Sequence, residues 1–82
     1  MNMITIHLIL HSYLREKLPP EARGRADLPL PEGSRVADVF ESLGIAGGVA
    51  WSLNGKLERD TSLALNDGDE LRVFRQGSGG ER

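Results

Sequence analysis

His7 and His11 are the only histidines in the chain, and they are the first residues to test for chemistry. They stand four residues apart in a segment of alternating polarity, so they belong on one face of a strand. At ~3.3 Å per residue that separates them by roughly 13 Å, too far to share a metal ion. No nucleophile stands where either could serve it as a general base. Asp67, Asp69 and Glu70 surround Gly68, but a calcium loop spreads its oxygen ligands over a longer, regular spacing. These carboxylates read as turn chemistry and a polar strand start. Gly47-Gly48 lacks the flanking glycines, the lysine and the following helix of a phosphate loop. The chain has no cysteine, which removes disulfides, thiolate metal sites and cysteine nucleophiles together. No catalytic residue, metal ligand or bound cofactor is therefore assigned. Arg15, Lys17, Arg23 and Arg25 around Pro19-Pro20 form a basic loop, read as a solvated face or a contact for an acidic partner.

What remains is the end of the chain, Gly77-Ser78-Gly79-Gly80-Glu81-Arg82. Nothing apolar stands beyond Gln76, so this stretch is expected to be disordered in the free protein. Extended, it reaches ~3.3 Å per residue. Glycine has no Cβ, so Gly79 and Gly80 can thread a channel too narrow for other residues. Such a tail can carry a terminal carboxylate to a nucleotide bound in another enzyme while its domain stays outside.

A tail of this kind needs a small domain behind it. The chain has 82 residues, net charge −2, 27% charged and 39% hydrophobic residues, which fits one domain with one thin core. No basic excess points to nucleic acid. No apolar stretch is long enough to span a membrane, and no signal peptide is visible. The expectation is a cytoplasmic protein, with a folded domain over residues 1–75 and a tail over 76–82.

Met3 to His11 alternates, with Ile4, Ile6, Leu8 and Leu10 on the core face, and predicts a strand. Ser12 caps a short helical turn over Tyr13 to Leu18 that Pro19-Pro20 ends. Asp27 to Leu30 is extended, and Pro29 makes it an edge strand. Ser34 is the expected cap of a helix in which Val36, Val39, Phe40 and Leu43 share a face, with Gly44 as its left-handed stop. Val49 to Leu53 and Lys56 to Glu58 pair through Asn54-Gly55, a hairpin dipeptide. Glu70 to Arg75 is the last strand, with Leu71 and Val73 inward and Arg72 and Phe74 on the opposite face. The expected core is Ile4, Ile6, Leu8, Val36, Val39, Phe40, Leu43, Leu71 and Val73. One helix covers only one face of a sheet, so the predicted class is α+β. It is a β-grasp (ubiquitin-like) fold with a mixed sheet of four or five strands, the first and last being parallel neighbours at its centre.

The chain resembles the ThiS/MoaD family of ubiquitin-like sulfur carrier proteins over nearly its whole length. The matching pieces are Leu14-Arg15-Glu16-Lys17-Leu18-Pro19-Pro20 and Leu30-Pro31-Glu32-Gly33 leading into Val36-Ala37-Asp38-Val39-Phe40. Leu53-Asn54-Gly55-Lys56, Leu65-Asn66-Asp67-Gly68-Asp69-Glu70-Leu71 and Ser78-Gly79-Gly80 come next, in the same order. The specificity lies in their order and spacing together.

The resemblance implies a carrier protein that is itself no enzyme. An adenylating enzyme related to ubiquitin-activating enzymes would use ATP to couple the terminal glycine carboxylate to AMP. A sulfur donor would then convert it to a thiocarboxylate. The sulfur would pass to an acceptor enzyme of molybdopterin, thiamine or amino-acid biosynthesis. By position Gly80 is the activated, sulfur-carrying residue, and Gly79, Ser78 and Gly77 form the tail that enters the channel. Strand alternation, apart from the resemblance, puts Phe74 exposed beside Arg72 on the sheet face away from the helix and close to the tail. They are the expected partner-binding residues; the other reading is that Phe74 caps the core edge. Two features depart from the pattern. Glu81 and Arg82 come after the diglycine, so Gly80 is an internal amide until they are removed, as in members paired with a metal-dependent peptidase. The segment from Ser12 to Arg25 is longer than in compact thiamine-type members and is more like the molybdopterin-synthase small subunit. The same activation chemistry would serve a ubiquitin-like modifier joined to lysines through Gly80. A binding module using the open sheet face is the third reading.

Overall fold

The structure is a computed structural model that describes residues 2–45 and 49–75, with the backbone alone at Ser12, Tyr13 and Arg75. Five strands, β1 (Met3–Leu10), β2 (Arg25–Pro31), β3 (Val49–Leu53), β4 (Lys56–Glu58) and β5 (Glu70–Arg75), and one helix, α1 (Val36–Leu43), keep the predicted order. The strands form one sheet in the order β2-β1-β5-β3-β4. β1 and β5 are parallel and all other pairs antiparallel. This is the β-grasp arrangement.

The alternation in β1 and β5 builds the core. Leu8 lies opposite Leu71, and Leu10 opposite Val73, so the two central strands present one continuous apolar face. Trp51 extends it from β3, opposite Val73. Val36, Val39 and Phe40 of α1 close over this face, with Phe40 edge-on to Trp51 at 5.9 Å between ring centroids. Eight of nine expected core residues are buried. The ninth, Leu43, is half-buried and packs at the core margin.

The end of α1 explains that exception. Gly44 turns left-handed at φ 75°, its N–H bonds Glu41 O, and the Ile45 N–H reaches Phe40 O at 2.8 Å. This is a Schellman closure. It folds Ile45 back into the core, where it is 8% exposed, and Leu43 is left at the edge. Leu10, Leu14, Trp51 and Leu65 complete the core.

Two helix starts differ from expectation. α1 is capped at Arg35, whose backbone N–H donates to the Asp38 carboxylate at 2.8 Å. The Ser34 hydroxyl instead donates to the Pro31 carbonyl at 2.7 Å and closes the preceding turn. A hydroxyl held by a turn carbonyl one turn upstream is not aimed at the first amides of the helix. Ser12 begins a 3₁₀ segment, Ser12–Lys17, instead of capping a turn. A second 3₁₀ turn, Pro20–Ala22, occupies part of the expected loop. β2 is longer than Asp27 to Leu30 because β1 offers it seven paired positions, and Pro29 is tolerated there because β2 is an edge strand. No described helix is long and apolar enough to cross a membrane.

Candidate functional site

The described residues end on the last strand. β5 is held on both sides, by β1 and by β3, up to Val49 opposite Arg75. The Val73 carbonyl is also tied to the His11 N–H at 3.0 Å. Gly77, Ser78, Gly79 and Gly80 lie outside the described residues, as do Glu81, Arg82 and Gly47-Gly48. What the structure describes is the sheet as far as Arg75.

On the sheet face away from α1, strand register lines residues up in rows. Arg25, Ile9, Arg72, Ser52 and Leu57 form one row across all five strands. Phe74 stands in the next row, opposite Ala50, at the end of β5. Phe74 and Arg72 are both half-buried and both on this face, where alternation placed them. His11 rests edge-on against Phe74, with ring centroids 6.4 Å apart. Arg72 reaches Glu70 at 3.6 Å. Ile9 is only 8% exposed, yet it stands apart from the main core. Leu57 at 69% and Met3 at 60% are the large apolar side chains most open to solvent among the described residues.

The histidines part company. His7 is an exposed strand residue whose Nδ1 is 2.7 Å from Asp27 Oδ1. His11 falls one residue past β1 and turns to Phe74. The expectation that both belong to the strand fails because the 3₁₀ segment begins at Ser12.

The carboxylates around Gly68 bind backbone and amide groups. Asp67 Oδ1 accepts the Thr5 N–H at 2.8 Å, and the Gly68 N–H donates to Thr5 O at 2.8 Å. Asp69 is buried; its Oδ2 accepts the Asn66 N–H at 2.8 Å and its Oδ1 the Asn54 side-chain amide at 3.0 Å. Asn54 Oδ1 in turn accepts the Glu70 N–H at 2.9 Å. Asn54 and Gly55 both have positive φ, as a tight hairpin requires. The network clamps that hairpin to the turn before β5. In the segment after β4, the Ser62 hydroxyl and N–H both donate to Asp60 and hold its carboxyl below the usual aspartate range. No group of three potential metal ligands occurs among the described residues.

Three features escaped the sequence reading. Ile9 sits at an outward position of an alternating strand, and nothing local marks it as buried. The His11–Phe74 contact joins residues far apart in the chain. Gly24, at φ 81°, lies against β1: a Cβ there would stand 2.5 Å from the Leu10 carbonyl. A glycine next to arginines carries no sequence signal for that approach.

No protein-family model matches the chain, and no curated protein matches its sequence. Among solved structures it is similar to the HVO 2177 protein of Haloferax volcanii, with 24% identity and a TM-score of 0.76, covering 95% of this chain and 88% of that one. It is also similar to SAMP1 from Haloferax volcanii, with 20% identity and a TM-score of 0.69, covering 93% of this chain and 99% of that one. At these identities the likeness is one of fold: a mixed five-stranded sheet with one helix, the ubiquitin-like β-grasp topology.

Proposed function

We propose that this chain is a sulfur carrier of the ThiS/MoaD type, acted on by partner enzymes through Gly80. The observation that supports this reading best is the placement of β5. A strand locked at the centre of a β-grasp sheet ends at Arg75, and Gly79-Gly80 stand four and five residues further along the sequence. Five extended residues reach ~16 Å, enough for a glycine to enter a deep site while the domain docks outside.

In this reading a peptidase, metal-dependent in related systems, first cleaves the chain after Gly80 and releases Glu81 and Arg82. The freed carboxylate attacks the α-phosphorus of ATP on an activating enzyme and expels pyrophosphate. A sulfur donor displaces AMP and leaves a thiocarboxylate, which an acceptor enzyme of molybdopterin, thiamine or amino-acid biosynthesis consumes. Phe74 and Arg72 dock the activating enzyme: a half-buried aromatic beside a cation at the tail base combines apolar area with direction.

Adenylation tests the reading. A chain ending at Gly80, given ATP and activating enzymes of its own organism, is expected to form the adenylate, and the chain extended through Arg82 is not. A Gly80→Ala form of the shorter chain is expected to fold normally and react poorly, because a Cβ crowds a channel shaped for bare backbone. Equal adenylation of both lengths defeats the processing step. Adenylation of neither defeats the carrier reading and favours a binding module. Isopeptide conjugates to lysines, without a thiocarboxylate by mass, would make the protein a modifier.

A further inference from the structure

We propose that the surface built by residues 14–24 docks an acidic segment of a partner protein that also inserts an apolar side chain. This surface includes neither Phe74 nor Arg72, and the inference stands whether or not Gly80 carries sulfur.

The segment is a built surface. Leu14, 2% exposed, pins it to the core. The Leu10 N–H bonds Gly24 O at 2.6 Å, and the Leu18, Ala22 and Arg23 amides close successive tight turns onto Arg15, Pro19 and Pro20 carbonyls. Pro19 and Pro20 stiffen the middle. Between the turns lies a groove of about 450 Å³, lined by Leu18, Pro19, Pro20 and Gly24 together with Arg15, Arg23 and the single carboxylate of Glu16. Its size suits a side chain and its flanking backbone, well beyond a single ion.

Its charge runs against that of the molecule. Residues 12–25 hold four cations and two carboxylates, net +2, in a chain of net −2. The guanidiniums of Arg15 and Arg23 make no ion pair or side-chain hydrogen bond with any described residue. Lys17 is different. Its Nζ lies 3.8 Å from where a Cβ on Gly44 would stand, at the C-terminal end of α1, where a cation complements the helix carbonyls. Lys17 thus sits at the end of α1, while Arg15 and Arg23 are exposed at the groove.

The backbone beneath them is held under local strain. Arg23 is left-handed, at φ 55° and ψ 37°, a conformation that strains any residue with a Cβ. Glycine or asparagine would hold it more easily. The Arg15 stem lies along Gly24, so that a Cβ there would come within 2.8 Å of Arg15 Cγ. Two forked cations thus outnumber one carboxylate around an apolar groove on a stiff loop, which fits carboxylates beside an aliphatic side chain. The negative charge of the rest of the chain disfavours nucleic acid as the occupant.

The test uses the full chain, ¹⁵N-labelled, titrated with three probes. These are a synthetic peptide of glutamates around a central leucine, the same peptide with glutamine for glutamate, and a single-stranded oligothymidylate. Saturable shifts at the amides of Arg15 to Gly24 are expected with the glutamate peptide only. An Arg15→Gln, Arg23→Gln double variant is expected to bind it about tenfold more weakly or worse, the loss of a charge-assisted hydrogen bond. The variant's unchanged spectrum elsewhere verifies its fold. Equal binding of the glutamine peptide, shifts centred on Phe74, no saturable shift, or an unaffected double variant each overturns the proposal. Tighter binding of the oligothymidylate at the same amides replaces it with a nucleic-acid surface.

Discussion

At the end of the sheet where β5 begins, Asp67 and Asp69 accept hydrogen bonds from Thr5, Asn66 and Asn54; in the segment after β4, Asp60 likewise accepts two from Ser62. At the end where β5 finishes, Gly24 closes onto Leu10 through backbone alone, and the guanidiniums of Arg15 and Arg23 hold no described partner. Both ends are turns rich in charge, and composition does not tell them apart. The difference is whether the charged atom is used by the chain's own backbone. Where it is, the residue belongs to folding. Where the backbone closes without it, the charge is available to something else.

Substitutions can break this contrast. The largest effect is expected from Gly24→Ala. It adds a Cβ in a left-handed conformation against the Leu10 carbonyl, and should cost about 2–4 kcal/mol by denaturant titration. A loss under about 0.5 kcal/mol would mean the loop closes some other way and the basic end is not built on backbone geometry. Asp69→Ala should come next at about 2 kcal/mol, since it strands the Asn66 N–H and frees the Asn54 amide. Looser closure of the hairpin should appear as faster amide exchange at Glu70. If Asp69→Ala is neutral on the same titration, the carboxylates at that end are not structural.

The smallest effect sharpens the comparison at one residue. The folded Asp60 carboxyl titrates below its unfolded value because Ser62 donates to its charged form. Its contribution to stability is therefore present above the unfolded value and lost as pH falls through the lowered folded one. Ser62→Ala removes the hydroxyl and should move the Asp60 midpoint upward toward the ordinary aspartate range in an NMR titration. An unmoved midpoint would show that the backbone N–H of Ser62 alone sets it.

The strands and the helix were legible because each carries a clean period: two in β1 and β5, nearly four in α1. Val36–Leu43, Val49–Leu53, Lys56–Glu58 and Glu70–Arg75 fall where the pattern and the Asn54-Gly55 dipeptide put them. The segment from Ser12 to Arg25 was the least legible. Its turns are held by bonds to Leu10 and by Leu14 in the core, and neither leaves a local period. Ser34 read as a cap because hydroxyls cap helices. It serves the turn instead because Arg35 and Asp38 already complete the helix start.

The sequence by itself determined which faces of β1, β5 and α1 turn inward, because burial of alternating and helical apolar sets is the main driving force and is written in spacing. It also supplied the diglycine and the absence of cysteine. Only the tertiary structure decided which charges the fold itself uses. It joined Asn54 to Asp69, brought Lys17 to the end of α1, set His11 on Phe74, and left Arg15 and Arg23 facing outward. Those pairings cross the sheet or bridge separate elements. Hydrogen bonds and ion pairs act over a few ångströms of space, whatever the distance along the chain, so no local pattern could announce them.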